Sequence, residues 1–362
     1  MSAWVIYRGP LERSRLSFLL ETAARKYGAV NFLWVFPGTM TAQRLAAYKN
    51  YIATQPVATE YVINQPLKSY ISTRLKIKSM VQSKADVLIC IGFCSLWYSS
   101  AVKFRKLIWC VNGIPEEKEL TSTLPKIVTR LNWMFCKVFA KPDLIVVVST
   151  GMKKLVHAHM KNIPVFSAPT CVDISTFRKR DREKRKYFTY LGTGAAWQAL
   201  DLLSGLWQEI HKLDSSVVFR VISRDPRTKI LARNISADNI QFVSSDEFAE
   251  VAQWLNEAEV GFLVRRDTLV NRVSFPTKLA EYLAAGAWVV STDFEGEVRE
   301  YINEYTCGIL IKDVSKSAAE KILQFRRYAD SVKLAENITQ CANSLDRQRW
   351  VNLLNERLNQ LT

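Results

Sequence analysis

The sequence is poor in the residues that build disulfide frameworks and metal centres. Its 362 residues include three histidines, and its seven cysteines are odd in number, scattered, and never spaced as Cys-x-x-Cys. Disulfide-stapled domains and zinc modules need paired cysteines or Cys and His clusters, so both classes are excluded. We therefore expect free thiols in a reducing compartment and no bound metal ion.

A long apolar run is also missing. A membrane-spanning helix needs about 20 consecutive, predominantly apolar residues. The least charged stretch, Ala85 to Val102, contains Asp86, Gly92 and several serines. The first residues show no basic segment followed by a hydrophobic core of the secretory type. We expect a cytoplasmic protein whose contact with the cell membrane is peripheral, at the inner face.

Acidic residues are scarce in the first half of the chain. Residues 1–170 hold 23 Lys and Arg against 8 Asp and Glu, and they carry nearly all of the net charge of +16. Such concentrated charge predicts a localised anionic partner. The candidates are a membrane surface, a phosphorylated lipid acceptor, an acidic polysaccharide and nucleic acid.

Short apolar runs alternate with amphipathic stretches along the whole chain. The strand-like runs are Ala3–Tyr7, Asn31–Phe36, Val87–Ile91, Leu107–Val111, Leu144–Val148, Tyr187–Leu191, Val217–Ile222, Gln241–Val243, Val260–Val264, Trp288–Ser291 and Gly308–Ile311. This alternation predicts parallel sheets covered by helices on both faces. A charged, proline-containing segment between Pro164 and Lys186 separates two such series, which predicts two doubly wound α/β domains.

The stretch from Val260 to Ser291 carries the strongest chemical signal. Its first part is the predicted buried strand, and Arg265 and Arg266 follow directly. Open α/β sheets bind ligands beyond the carboxyl ends of their strands. These two arginines are therefore candidates for binding an anion.

A helix start follows within the same stretch. Ser274, Pro276 and Thr277 are residue types found just before a helix and at its first positions. The free N–H groups of a helix N-terminus attract phosphate, and Lys278 adds a positive charge there. Glu281 lies one turn further on the same face, where a carboxylate is suited to hold ribose hydroxyls. The residues alone leave an alternative open, in which Lys278 and Glu281 form an ordinary helix ion pair.

This stretch resembles the signature of family-four glycosyltransferases with the GT-B fold. The resemblance is closest to a bacterial polysaccharide subgroup with the pattern P-x-K-x-x-E-Y-x-x-x-G, matched here by Pro276, Lys278, Glu281, Tyr282 and Gly286. It implies that Glu281 binds the ribose of the donor. The wider family has a second glutamate eight positions earlier, where this chain has Val273.

Two further segments are similar to the same family. Pro169 to Asp173, followed by Phe177, resembles its interdomain P-x-x-V-D-x-x-x-F pattern. The segment from Tyr190 to Gly194 looks like the first strand and loop of a donor domain, in which Gly192 and Gly194 let the backbone approach a phosphate or base closely.

The loop after Gly194 lacks the Arg and Lys of many relatives. Arg265, Arg266 and Lys278 are therefore expected to neutralise the diphosphate instead. Arg224 is a further candidate, with a plain exposed loop arginine as the alternative interpretation.

The first half contributes weaker candidates. Gly9 follows the first strand, in a loop that the resemblance places at the interdomain cleft, with Arg13 or Arg15 able to reach a phosphate. Asn112 occupies the place of a histidine in relatives, and its amide can hydrogen-bond a sugar hydroxyl but cannot act as a general base. Glu116 and Glu117 are either candidate bases or the acidic first turn of a helix.

A basic stripe marks the predicted helix Leu124–Lys141. Lys126, Arg130, Lys137 and Lys141 fall within about 60° on a helical wheel. One interpretation is a core helix with a solvated basic stripe. The other is a contact surface for an acceptor phosphate or a membrane.

The resemblance implies the GT-B architecture, with two Rossmann-like doubly wound domains facing a cleft. Residues 1–168 would bind the acceptor, residues 169–343 would bind the nucleotide-sugar donor, and residues 344–362 would form a helix crossing back to the first domain. The candidate catalytic residues are Lys278, Arg265 and Asn112. The candidate donor-binding residues are Glu281, Lys278, Arg265, Pro276, Thr277, Ser274, Gly192, Gly194 and Gly9.

The implied function is a glycosyltransferase of the hexosyltransferase type. It would move a sugar from a UDP- or GDP-linked donor to a glycan or lipid-linked glycan in surface polysaccharide biosynthesis, with retention and without a metal cofactor. One alternative is a nucleotide-sugar epimerase on the same fold, which the few histidines disfavour. The other is a basic nucleic-acid-binding protein, but no nucleic-acid module is recognisable and we expect no such partner.

Overall fold

The chain forms two compact units in the computed structural model. One comprises Met1–Pro169 with Gln348–Thr362, and the other comprises Thr170–Arg347. The structure describes residues 2–9, 13–36, 38, 41–64, 70–81, 85–116, 126–139, 141–177, 185–329 and 331–361.

The first unit is built on a sheet of seven parallel strands. These are β1 (Ala3–Arg8), β2 (Val30–Phe36), β3 (Val57–Asn64), β4 (Ala85–Ile91), β5 (Phe104–Val111), β6 (Leu144–Val147) and β7 (Val165–Ser167). Their order in the sheet is β3-β2-β1-β4-β5-β6-β7. The central strands are buried along nearly their whole length, as parallel strands covered on both faces should be.

Helices flank this sheet. They are α1 (Arg13–Tyr27), α2 (Ala42–Ala53), α3 (Tyr70–Met80), α4 (Gly92–Leu96), α5 (Lys126–Phe139) and α6 (Thr150–His159). Helix α6 begins where the Ser149 hydroxyl accepts a hydrogen bond from the N–H of Met152 at 2.8 Å, a typical N-terminal cap.

The second unit contains a sheet of six parallel strands. These are β8 (Tyr187–Leu191), β9 (Val218–Ile222), β10 (Ile240–Val243), β11 (Ala258–Leu263), β12 (Trp288–Thr292) and β13 (Gly308–Ile311). Their order is β10-β9-β8-β11-β12-β13. The helices are α7 (Leu200–Leu213), α8 (Phe248–Asn256), α9 (Leu269–Val273), α10 (Thr277–Ala285), α11 (Glu297–Tyr305), α12 (Lys316–Arg326) and α13 (Val332–Ser344).

The last helix, α14 (Arg347–Asn359), belongs to the first unit from Gln348 onwards. There it packs beside α1, where the Arg25 guanidinium donates a hydrogen bond to the Asn352 side chain at 2.6 Å. The ring of Trp350 meets that of Phe166 on β7 at 6.4 Å. The end of the chain is thus tied to the first sheet by polar and aromatic contacts.

Close packing in the second unit depends on a glycine in β11. A Cβ atom at Gly261 would lie 2.2 Å from the ring of Tyr282, so α10 can approach the strand only because Gly261 has no side chain. The Tyr282 hydroxyl then accepts a hydrogen bond from the N–H of Leu191 on β8 at 2.8 Å. Tyr282 thereby fixes α10 against two neighbouring strands.

The strand order reverses once in each sheet, between β1 and β4 and between β8 and β11. Open α/β sheets bind their ligands at such reversals, beyond the carboxyl ends of the strands. The predicted pair of Rossmann-like doubly wound domains is confirmed. Among the described residues, no helix is both long and apolar enough to cross a membrane.

Candidate functional site

The candidate site of the second unit lies where β8 and β11 part. The loop after β8 carries Gly192 and Gly194, and Arg265 follows β11. Helix α10 begins at Thr277 after Pro276, whose φ of −73° suits a helix start, and it ends at Gly286 in the left-handed conformation. The helix start predicted at Pro276 and Thr277 is thus confirmed.

The residue before α10, Pro276, provides no side-chain cap for the helix N-terminus. By contrast, Ser315 caps α12 and Ser331 caps α13 by accepting a backbone N–H. The first N–H groups of a helix have no partner within it, and they favour an anion when no cap occupies them. The start of α10 is therefore suited to a phosphate group.

Lys278 is buried in the first turn of α10. Its side chain is 7% exposed, and its Nζ donates a hydrogen bond to Oε1 of Gln198 at 2.6 Å. The ammonium group also lies 4.5 Å from the centre of the Tyr190 ring on β8. Neither the neutral amide nor the aromatic face supplies a full negative charge, so a negatively charged ligand would stabilise the ammonium form of Lys278.

The side chain of Lys278 lies against the backbone of Gly192. A Cβ atom there would come within 3.0 Å of the lysine Nζ, and the φ of +138° is one that other residues rarely adopt. Gly194 has a different neighbour, because its N–H donates to the Asp225 carboxylate at 2.9 Å. A Cβ on Gly194 would lie 2.5 Å from Cβ of Arg227, so both glycines permit close contacts.

Arg265 adds a second buried cation. Its guanidinium donates a hydrogen bond to the Ser274 hydroxyl at 3.2 Å, and its backbone N–H donates to the Thr292 hydroxyl at 3.0 Å. The buried Nε has no hydrogen-bond partner in the described part of the chain. Burial lowers the pKa of Arg265 to about 10, so the group is charged at neutral pH.

Glu281 completes the cluster one turn along α10. Its side chain is 9% exposed and forms no hydrogen bond with any described residue. Burial raises the pKa of Glu281 to about 7, although the neighbouring Lys278 lowers it. Burial and Arg265 hold the pKa of Lys278 well below its usual value, although Glu281 raises it. Burial thus disfavours the charged form of both groups, and a polar ligand that pairs with them would stabilise that form.

The alternative interpretation of an ordinary helix ion pair does not describe this arrangement. Lys278 is hydrogen-bonded to Gln198, and no ion pair joins it to Glu281 among the described residues. Of the other predicted site residues, Ser274 contacts Arg265, while Pro276 and Thr277 form the start of α10.

Two predicted arginines do not join the cluster. Arg266 forms an ion pair with Asp201, and Arg224 forms one with Asp246. Both pairs lie at the surface, which agrees with the alternative interpretation of Arg224 as an exposed loop residue. Residues that sequence reasoning missed are Gln198, which holds Lys278, and Arg227, which lies against Gly194.

Gly9 and Asn112 belong to the first unit. They follow β1 and β5, which flank β4, so both lie at the carboxyl edge of that sheet. Gly9 has a φ of +140°, and its carbonyl accepts a hydrogen bond from the Trp34 indole at 2.9 Å. The Asn112 amide oxygen lies 3.5 Å from the position of a Cβ on Gly92, which begins α4.

The charged candidates of the first unit have structural contacts. Arg15 is buried and donates a hydrogen bond to the Ala168 carbonyl at 3.1 Å, while Arg13 lies over the Tyr51 ring. Glu116 accepts a hydrogen bond from the Trp133 indole at 3.0 Å. Glu117 lies outside the described residues.

The basic helix α5 differs from a core helix with one solvated stripe. Arg130 and Lys137 are exposed, and so is Lys141 beyond the helix end, while the side chain of Lys126 lies outside the described part. The apolar residues Leu131, Met134 and Val138 are also exposed. The helix thus presents an apolar face together with its basic one.

No group of three His, Cys, Asp or Glu side chains in the described ranges is arranged to hold a metal ion. The predicted absence of a metal cofactor stays a prediction.

Comparison with known proteins connects this site to one family. Residues 185–327, which include β8 to β13 and the whole cluster, match the family model described as glycosyl transferases group 1. No curated protein sequence matches the chain.

Solved structures match over nearly the full length. A glycosyltransferase from Rickettsia africae ESF-5 shares 13% identity with a TM-score of 0.69, covering 99% of this chain and 98% of the other. Anabaena HepE in complex with UDP shares 12% identity with a TM-score of 0.73, covering 99% and 100%. WaaG, a glycosyltransferase involved in lipopolysaccharide biosynthesis, shares 16% identity with a TM-score of 0.65, covering 98% and 99%. The predicted GT-B fold is confirmed.

Proposed function

We propose that this chain transfers a sugar from a nucleotide-sugar donor to a glycan or lipid-linked glycan, because residues 185–327 match the family model of the group 1 glycosyltransferases. The observation that carries the proposal is the buried cluster of Lys278, Arg265 and Glu281 at the uncapped start of α10. Two cations and one carboxylate at a strand-order reversal match the charges of a nucleoside diphosphate and the hydroxyls of its ribose.

In the reaction, the bond between the anomeric carbon and the diphosphate oxygen breaks, and a bond to the acceptor oxygen forms. The departing nucleoside diphosphate gains negative charge as the bond breaks, and its oxygen then takes up the proton that the acceptor hydroxyl loses. Lys278, Arg265 and the N–H groups of α10 stabilise that charge, in a buried place where fixed charges act strongly. These groups take over the task that a metal ion performs in other enzymes.

Glu281 has a separate task in this proposal. Its buried carboxylate has no hydrogen-bond donor in the described protein, and the ribose hydroxyls of the donor would supply such donors. Asn112 and Gly9, at the carboxyl edge of the first sheet, are the proposed contacts of the first unit with the substrates. We propose retention of the anomeric configuration, as in the family that the sequence resembles.

UDP is the preferred nucleotide in this proposal. The structurally similar Anabaena HepE is known in complex with UDP-glucose, and the pneumococcal O-GlcNAc transferase GtfA in complex with UDP and GlcNAc. The similarity to WaaG, which is involved in lipopolysaccharide biosynthesis, supports a surface polysaccharide as the product.

Titration calorimetry with UDP and GDP tests the donor site. We expect wild-type protein to bind UDP and Glu281→Ala to bind it at least tenfold more weakly, because the ribose contact is lost. The matched control is Glu336→Ala, which removes an exposed glutamate at the same position of α13. Equal weakening by both variants, or no binding by the wild type, would contradict the assignment.

Product analysis separates this function from its alternatives. A glycosyltransferase consumes UDP-sugar only slowly without an acceptor, whereas an epimerase converts the sugar with no acceptor present. Salt-dependent binding to DNA together with absent nucleotide binding would instead favour a nucleic-acid-binding protein.

We further propose that the first unit contacts the anionic inner face of the cell membrane. Helices α3 and α5 carry only basic charged residues, and no acidic residue occurs on either. Both expose apolar side chains, namely Ile71, Leu75, Leu131, Met134 and Val138. Segment Ser99–Ala101 contacts α3, and Trp97 just before it stacks on Phe135 of α5 at 4.3 Å, so both helices pack against the segment from Trp97 to Ala101. Basic residues around an apolar face suit an anionic lipid surface.

Vesicle sedimentation tests the membrane contact. Wild-type protein should bind phosphatidylglycerol vesicles and not phosphatidylcholine vesicles, with binding lost as salt rises. Replacing Arg130 and Lys137 by glutamine should weaken binding by roughly tenfold or more, since each basic residue near the surface contributes about 1 kcal/mol. Replacing Lys316 and Lys321 on α12 in the same way is the control. Equal losses of vesicle binding in the two variants would show that α5 is not the specific membrane contact.

A further inference from the structure

Gln198 is the direct partner of the buried Lys278. It ends a short turn, Ala196–Gln198, and its own side chain is buried. Its amide oxygen accepts the hydrogen bond from the lysine Nζ at 2.6 Å, on the side where Gly192 and the Tyr190 ring border the ammonium group. A neutral amide is a weaker partner for a cation than a phosphate oxygen is, because both partners of the ammonium–phosphate hydrogen bond carry opposite charges.

The turn that carries Gln198 is held in an unusual conformation. Ala199, the next residue, is left-handed with φ +46° and ψ +49°, which is uncommon for a residue other than glycine. The buried Asn271 donates a hydrogen bond to the Trp197 carbonyl at 3.2 Å and another to the Arg266 carbonyl at 2.9 Å. The amide oxygen of Gln198 is thus placed by the backbone and by the segment that follows β11.

We propose that Gln198 is a positioning residue, whose amide oxygen holds the Lys278 ammonium group against the Gly192 loop until a phosphate oxygen of the donor replaces it. This role rests on the proposed donor site and adds to it the residue that keeps the cation in place. The exchange breaks the hydrogen bond of Lys278 to a neutral amide oxygen and forms one to a negatively charged phosphate oxygen, so that donor binding releases the Gln198 amide.

The charges around Lys278 show why a positioning residue is needed. Burial and the Arg265 cation beyond β11 both disfavour the charged amine and lower its pKa, and Glu281 on α10 favours it. Tyr190 on β8 faces it with its ring. No other ionisable group of the described elements packed on α10 acts on Lys278. An acceptor for the ammonium form, such as Gln198, therefore helps to keep the lysine charged.

The test is the pH dependence of UDP binding by the full chain. Binding by the wild type should weaken with rising pH as Lys278 loses its proton. Gln198→Ala removes the acceptor and should move the midpoint of this loss to lower pH by about one pH unit, the effect of one hydrogen bond to a charged group. Gln198→Glu adds a negative charge beside the ammonium group and should move the midpoint to higher pH.

The control is Gln208→Ala on α7. The Gln208 amide oxygen also accepts a side-chain hydrogen bond, from Asn234 at 3.1 Å, but Gln208 forms no hydrogen bond with Lys278, Arg265 or Glu281. We expect this variant to leave the midpoint unchanged.

Opposite displacements by the two Gln198 variants support the role, because general damage to the fold would move both in the same direction. Unchanged midpoints, or equal displacements, overturn it while leaving the donor site intact. If the wild type binds neither UDP nor GDP, the donor site itself fails, and the role of Gln198 fails with it.

Discussion

Two helices of the second unit carry the same Lys-x-x-Glu pattern at the same position. Lys278 is the second residue of α10 and Lys333 the second residue of α13, and each has a glutamate three residues later. The side chains of Lys333 and Glu336 are 76% and 57% exposed and form an ion pair at 4.0 Å. Lys278 and Glu281 are buried and form none.

The difference lies in where the two helices begin. Helix α10 starts beside the carboxyl ends of β8 and β11 without a side-chain cap, whereas α13 starts at the surface and is capped by Ser331. A lysine in the first turn opposes the helix dipole in both cases. An exposed lysine is stabilised by water, but a buried one needs an anionic partner. We therefore propose that the pattern is functional at the sheet edge, in α10, and not at the surface, in α13.

The largest expected effect separates the two lysines by activity. Lys278→Ala should lower kcat for sugar transfer by about a hundredfold or more, the usual loss when one group that stabilises developing charge is removed. Lys333→Ala should leave kcat unchanged. Steady-state assays with a UDP-sugar and acceptor measure both. A similar kcat for the two variants would show that the two lysines do not differ in function.

The two glutamates should differ in how they couple pH to stability. The folded-state pKa of Glu281, about 7, lies above the ordinary glutamate value of about 4.5, so the folded protein binds more protons than the unfolded chain between these values. Wild-type stability should therefore fall as pH rises from about 4.5 to above 7, by an amount on the order of 3 kcal/mol. Glu281→Gln should abolish most of this fall.

Thermal unfolding at pH 5 and pH 8 measures that difference. Glu281→Gln should raise the unfolding midpoint relative to the wild type at pH 8 far more than at pH 5. Glu336→Gln provides the exposed reference and should show no such pH dependence. A Glu281→Gln midpoint that follows the wild type at both pH values would show that Glu281 is not buried as described.

A comparison of two glycines tests the loop against which Lys278 lies. Gly192→Ala should destabilise the protein by about 1–2 kcal/mol, because its φ of +138° is strained for alanine, and it should also weaken UDP binding by displacing the lysine. A Cβ on Gly205 in α7 meets nothing within 4 Å. Gly205→Ala should therefore stabilise by about 0.5–1 kcal/mol. Chemical denaturation measures both, and equal effects would contradict the packing of the loop.

The smallest expected effect belongs to the exposed pair. Removing the ion pair of α13 with Lys333→Ala should change the free energy of unfolding by less than about 1 kcal/mol, since exposed ion pairs contribute little. Denaturant titration gives this value directly. A larger loss would mean that α13 depends on its lysine for more than surface charge.

The helices and strands near the site were predictable because the residues inside them and at their ends all favour the same local structure. The apolar run of β11, the proline before α10 and the glycine after it mark each boundary in the sequence. The strands that sequence reasoning missed, β3 and β7, lie at the two edges of the first sheet. They are mostly half-exposed and so lack a continuous apolar run, which is the signal that identifies a central strand.

Within the site, the pattern of α10 was visible in the sequence, but its partners were not. Gln198 lies 80 residues before Lys278 in an irregular turn, and an amide in a turn carries no motif. Arg265 and Arg266 are adjacent in the sequence, yet one is buried in the cluster and the other pairs with Asp201 at the surface. Which of two neighbouring arginines points inward depends on tertiary packing, and no local pattern encodes it.

A crystal structure of the protein with bound UDP would test the central claim most directly. The account predicts the diphosphate at the first turn of α10, with a phosphate oxygen within hydrogen-bond distance of the Lys278 Nζ and the ribose hydroxyls on Glu281. UDP bound elsewhere, with Lys278 still hydrogen-bonded to Gln198, would contradict it.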